Sequence, residues 1–130
     1  MERPRKEAKI EYWLDRHSGE CWLQNPACTQ CIAEGWVRGD GQQYDLLAWV
    51  IMPNHVHVLV RIEEEDALVR IVQTWKSVSA HRINSLLSRK GVLWMRDYHD
   101  RYMRSPEHLS QAFRYIRENF KNGGVLYGKK

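Results

Sequence analysis

Residues 55–62, HVHVLVRI, alternate strictly between two kinds of side chain. In an extended chain Val56, Val58, Val60 and Ile62 take one face, and His55, His57, Leu59 and Arg61 take the other. The segment before it, YDLLAWVI (44–51), is nearly all apolar, as for a central strand covered on both faces. Met52, Pro53 and Asn54 put turn chemistry between the two. The pair therefore predicts an antiparallel hairpin, and a chain built around it needs helices to cover the sheet.

The remaining sequence supplies them. NPACTQCIAEGWVRGDGQQ (25–43) predicts a short helix with Asn25 at its N-cap and Pro26 in its first turn, ending between Gly35 and Gly41. After the acidic run 63–66, Asp66 is placed to cap a helix reaching to about Lys90, with Gly91 as its stop. Its core stripe is Leu68, Val72, Trp75, Ser79, Ile83 and Leu86. VLWMRDYHDRYMR (92–104) is aromatic and basic without helical period and reads as strand or extended loop. Ser105 then caps a last helix, with Pro106 in its first turn and Gly123–Gly124 at its end. Leu109, Phe113, Ile116 and Phe120 form its buried stripe. The order helix, strand, strand, helix, strand, helix indicates an α+β fold, an antiparallel sheet with helices packed on it. At 130 residues the chain is one domain, 1–130, with 1–9 expected to be a flexible lead-in.

Charge narrows the partners. Residues 1–69 hold 7 Lys and Arg against 12 Asp and Glu; residues 70–130 hold 13 against 4. So basic a second half is expected to offer a positive face to a polyanion, most commonly nucleic acid. No apolar run reaches the roughly 18 residues of a membrane span, and no apolar segment follows the charged N-terminus, so the expectation is a cytoplasmic protein without a membrane partner. Three cysteines speak against a secreted disulfide scaffold.

Two histidines two residues apart on a strand share a face, and imidazoles at that spacing can converge on one cation. Alone, that pattern is a weak signal. The last helix adds to it, because Tyr115 lies off the buried stripe, beside Asn119 at i+4 and His108 at i−7. A phenol and an amide on one flank of a helix could both face the histidine side of the sheet. A rival metal reading takes His17, Cys21, Cys28 and Cys31 as zinc ligands, although Cys28 and Cys31 fall in a predicted helix where small buried cysteines are common.

MPNHVHVLV resembles the histidine–hydrophobic–histidine motif of the single-tyrosine HUH transposases, and most closely that of the REP-associated tyrosine transposases and their IS200-like relatives. YIRENFKNGG (115–124) is similar to that family's second motif, a tyrosine followed four residues later by asparagine. LLAWVIMPNH, TWKSVSAHRIN and GVLWMRDYHDRYMR come in the family's order and at about its spacing, over roughly residues 10–125.

The resemblance implies a ferredoxin-like sheet and a DNA transposition enzyme. It casts Tyr115 as the nucleophile and His55, His57 and Asn119 as ligands of Mg²⁺ or Mn²⁺. The substrate would be single-stranded or hairpin DNA of the REP type, cleaved through a 5′-phosphotyrosine and rejoined without a nucleotide cofactor. Lys76, Arg82, Arg96, Arg101, Arg104, Arg114 and Arg117 are candidates for backbone contacts, and Trp94 and Tyr98 for stacking on bases.

The family usually has proline where this chain has Phe120. It also places a central strand ahead of KIEYWLDRHSGECWL, and the expectation here is that this first strand is missing, or replaced by IEYWLD or ECWL. A sheet lacking it would expose unpaired backbone and tend to form a homodimer. That lack favours the alternative function, a non-catalytic binder of structured or single-stranded DNA.

Overall fold

A computed structural model describes residues 8–16, 22–64 and 67–129. Its elements are β1 (Ala8–Asp15), a 3₁₀ turn (Trp22–Gln24), α1 (Pro26–Gly39), β2 (Asp45–Ile51), β3 (His55–Ile62), α2 (Ala67–Leu86), β4 (His99–Tyr102), α3 (Pro106–Lys121) and β5 (Leu126–Lys129). The five strands form one sheet in the order β4-β1-β3-β2-β5, every neighbouring pair antiparallel. Up to β4 the chain follows a β-α-β-β-α-β course. Among the described residues no helix is long and apolar enough to cross a membrane.

The first strand is not missing; of the two segments expected to replace it, IEYWLD fills the place. IEYWLD is part of β1, which pairs with β3 over eight residues, from Ala8 opposite Ile62 to Asp15 opposite His55. Its other edge pairs with β4. The strand holds because its residues alternate as β3's do: Ile10, Tyr12 and Leu14 are fully buried beside Val56, Val58 and Val60, while Glu11 and Trp13 take the opposite face. Lys9, expected in a flexible lead-in, belongs to this strand; residues 1–7 lie outside the described residues. With β1 in place, there is no missing strand to drive a homodimer.

Each sheet face carries its own core. On one side Val56, Val58, Val60 and Ile62 pack with Ile32 and Trp36 of α1 and with Leu68, Val72, Trp75 and Ile83 of α2. On the other, Leu59, Ala48 and Val50 pack under Ala112 and Ile116 of α3. β2 contributes to both cores by alternation, and a register shift between Leu46 and Ala48 leaves these two residues in opposite ones. Without it, period-two alternation would place Leu46 and Val50 on one side.

Two further expectations are corrected. α2 ends at Leu86 rather than near Lys90: Ser88 takes a left-handed φ of 51°, Arg89 N–H bonds back to the Asn84 carbonyl, and the Asn84 side chain donates to the Gly91 carbonyl. Leu86 is half exposed and leaves the core stripe, and Phe120 is exposed too, resting on Tyr127. α3 does end just before Gly123–Gly124, as expected, and the chain then returns as β5, paired with β2. There Gly128 crosses the Trp49 indole so closely that a Cβ would lie 2.3 Å from the ring. Asp66, the expected cap of α2, lies outside the described residues, whereas Asn25 and Ser105 cap α1 and α3 as expected.

If β1 is the central strand described, Ile10→Ala should cost about 2–5 kcal/mol of unfolding free energy in urea denaturation. Val37→Ala, at an exposed position of α1, should stay within about 0.5 kcal/mol.

Candidate active site at the α3 face of the sheet

The histidine face of β3 is the face that α3 covers. His57 is buried, sits opposite Trp13 on β1 and Val50 on β2, and has the Tyr115 ring edge-on to it, 5.3 Å between centroids. Tyr115 reaches there because it lies on the flank of α3 beside the line of Ala112 and Ile116, whose burial fixes the helix on the sheet. Its ring is still 55% exposed, so a substrate could approach it from solvent. His55, one pleat further along and half-buried, has Nδ1 2.8 Å from Asn54 Oδ1. Burial pushes its pKa down, and the neighbouring His57 adds to that while Asp15 opposes it.

Below these rings lies a charged pair that no motif in the sequence singles out. Glu11, 1% exposed, places Oε2 3.0 Å from His57 Nε2 and accepts from Arg101 Nε at 2.5 Å. Burial pushes the carboxyl up, but the hydrogen bonds and charges of His57 and Arg101 outweigh it and hold it below the usual range. Trp13 fills the space between, stacked at 5.5 Å on His99 and edge-on to His57. A partial signal for Glu11 is nonetheless present: Ile10, Tyr12 and Leu14 recur at period two within IEYWLD, which puts Glu11 on the opposite face of a strand together with Trp13 and Asp15.

Asn119, one turn beyond Tyr115, is half-buried, and its Nδ2 has no hydrogen-bond partner. Turning the amide about its last bond would present Oδ1 instead. Among the described residues no three His, Cys, Asp or Glu side chains form a metal cradle. A cation on this face would therefore need a ligand of another type beside the two imidazoles, and an inward-turned amide fits that need.

The zinc alternative gains nothing. Cys28 and Cys31 stand on successive turns of α1, Cys28 fully buried with its thiol pushed up by that burial; His17 and Cys21 lie outside the described residues.

Several residues expected to touch DNA are engaged with the protein. Lys76 donates to the carbonyls of Met95 and Arg96, both at 2.9 Å, and so fastens the segment before β4 to α2. Trp94 is 2% exposed and donates to the Ser79 hydroxyl, which leaves no ring face for a base. Arg101 is held by Glu11 while its side chain stays largely exposed, and Arg82 lies 3.4 Å from Glu34 of α1. Tyr98 is partly buried, edge-on to Tyr12. Arg96, Arg104, Arg114 and Arg117 are exposed. His108 is drawn into the start of α3, where its ring accepts weakly from the Arg104 N–H.

A family model described as "Transposase IS200 like" matches residues 36–119, and the chain belongs to that family. Among solved structures, that of a REP-associated tyrosine transposase bound to a REP hairpin superposes with a TM-score of 0.69 at 14% identity. The match covers 97% of this chain and 74% of that one. A transposase candidate from Deinococcus radiodurans R1 matches with a TM-score of 0.55 at 17% identity, over 92% of this chain and 98% of that one. At such identities the two structures establish a shared fold. No curated protein matches the sequence.

Since Trp94 is core, Trp94→Ala should lower unfolding free energy by about 3–5 kcal/mol. Ser79→Ala, which strands the buried indole N–H, should cost about 1–3 kcal/mol. Both are read by chemical denaturation.

Proposed function

We propose that this member of the IS200-like transposase family is a metal-dependent endonuclease and strand-transferase of single-stranded or hairpin DNA, with Tyr115 as its nucleophile. The observation that carries the reading is the meeting of Tyr115 and His57 across the interface of α3 with the sheet. The two residues are 58 positions apart in sequence, and only this packing joins them. The sheet is then the ferredoxin-like platform on which the site is assembled.

His55, His57 and Asn119 would hold one Mg²⁺ or Mn²⁺, which would act as a Lewis acid on the scissile phosphate. Everything else falls to the chain. Tyr115 Oη attacks the phosphorus, the new O–P bond replaces the bond to the 3′-oxygen, and the products are a 5′-phosphotyrosine and a free 3′-hydroxyl. The phenolic proton leaves to solvent, which reaches the half-exposed ring, and the departing 3′-oxygen takes up a proton from solvent to become the hydroxyl. Return attack by a 3′-hydroxyl releases Tyr115 and rejoins a strand, so bond energy is conserved and no nucleotide cofactor is consumed. The exposed Arg104 before α3, and Arg114 and Arg117 on it, lie near Tyr115 in sequence and can contact the DNA backbone. The alternative of a non-catalytic DNA binder drew on a missing central strand, and β1 occupies that place.

Incubated with Mn²⁺ and single-stranded or REP-type hairpin oligonucleotides, the protein should form an adduct that survives denaturing electrophoresis. Tyr115→Phe should abolish it while leaving stability within about 0.5 kcal/mol. An adduct that persists in that variant rejects the assignment. Replacing Arg114 and Arg117 by alanine should flatten the dependence of log affinity on log salt by about one for each phosphate these side chains neutralise.

A further inference from the structure

We propose that Glu11, braced by Arg101, is a positioning residue for His57: it decides which ring nitrogen that histidine can turn toward a cation. The inference rests on the metal-dependent reading above and concerns how the two imidazoles are set for it.

A carboxylate at 1% exposure is costly unless both of its oxygens are occupied. Here they are, by groups from two different strands. Arg101 lies directly across from Glu11 in the β1–β4 pairing and takes Oε1. Leu59 lies directly across in the β1–β3 pairing, so Glu11 reaches diagonally along β3 to His57 and offers it Oε2. An ionised carboxylate can only accept, so the proton in the 3.0 Å contact belongs to His57 Nε2. A neutral imidazole holding its proton there has its lone pair on Nδ1. Trp13 and Tyr115, each edge-on to the ring, restrict its rotation.

His55 is set the other way. Its Nδ1 lies 2.8 Å from Asn54 Oδ1; an amide oxygen only accepts, so with the amide turned this way the proton sits on Nδ1 and the lone pair on Nε2. The two histidines of the strand therefore present different nitrogens, Nε2 from His55 and Nδ1 from His57. Two side chains outside the His-x-His motif impose that asymmetry. A metal-bound histidine whose second nitrogen is held by a carboxylate is a stronger and better oriented ligand than one left free.

The full chain, labelled with ¹⁵N, tests this by NMR of the imidazole nitrogens under conditions where both rings are neutral. Expected are a proton on His57 Nε2 and on His55 Nδ1, both retained when Mg²⁺ is added. A proton on His57 Nδ1, or loss of the Nε2 proton as Mg²⁺ binds, overturns the proposal; the second result would make Glu11 a ligand rather than a positioner. In parallel, free Mn²⁺ is followed by electron paramagnetic resonance during titration of wild type and Glu11→Gln. The variant should bind about 10- to 100-fold more weakly, and equal affinity also overturns the proposal. If the wild type itself takes up no Mn²⁺, the metal-dependent reading fails, and the proton positions still judge Glu11 separately. They do so equally if Glu11→Gln does not fold.

Discussion

Because successive side chains of a strand point to opposite sides, β3 has to satisfy two different environments at once. Its valines and Ile62 close a large apolar core beneath α1 and α2; His57 and Leu59 look the other way, toward α3. One-residue slippage would bury the histidines among tryptophans and turn four branched side chains onto the polar side. The larger core thus locks the register that aims the imidazoles. Pairing with β1 along its whole length reinforces the lock, and that strand brings Glu11 and Trp13 to the same polar side.

The α3 side is assembled on different principles from its opposite. Its apolar content is small, and between Leu59 and the helix flank the sheet buries a carboxylate, an imidazole and an indole edge. Replacing such a buried pair with well-packed hydrophobic groups would commonly be neutral or stabilising. Retention of charge in this position makes sense when the side chains have a task other than cohesion. α3 is suited to carry the phenol there, since Ala112 and Ile116 anchor it while its outer residues stay in solvent.

Much of this is legible in the residues. The strand period settles that His55 and His57 share a side, and the helix period settles that Tyr115 stands off the stripe containing Ile116. Each is a local inference. What escapes is pairing between distant segments. Glu11 and Arg101 are 90 residues apart, and nothing near either one names the other. Lys76 and Trp94 look like equipment for DNA because charge and aromatic character are visible in a sequence, whereas a carbonyl or a serine hydroxyl waiting across a turn is not. β1 is only half legible: IEYWLD stands out as one of two candidates, because tyrosine, tryptophan and two acids blur an alternation that Ile10, Tyr12 and Leu14 in fact obey. β5, four residues including a glycine, carries too little pattern to stand out.

The irregularity at Leu46–Ala48 has a bearing on how such a chain can change over time. It works as a phase switch: residues on one side of it count odd and even opposite to those on the other. Removing a single residue there would not merely shorten a strand. It would swap inside for outside along one arm of the hairpin, exposing Leu46 or pulling Val50 from beside His57. Insertions and deletions of one residue are thus barred from this stretch, while substitutions that keep the phase remain open to it.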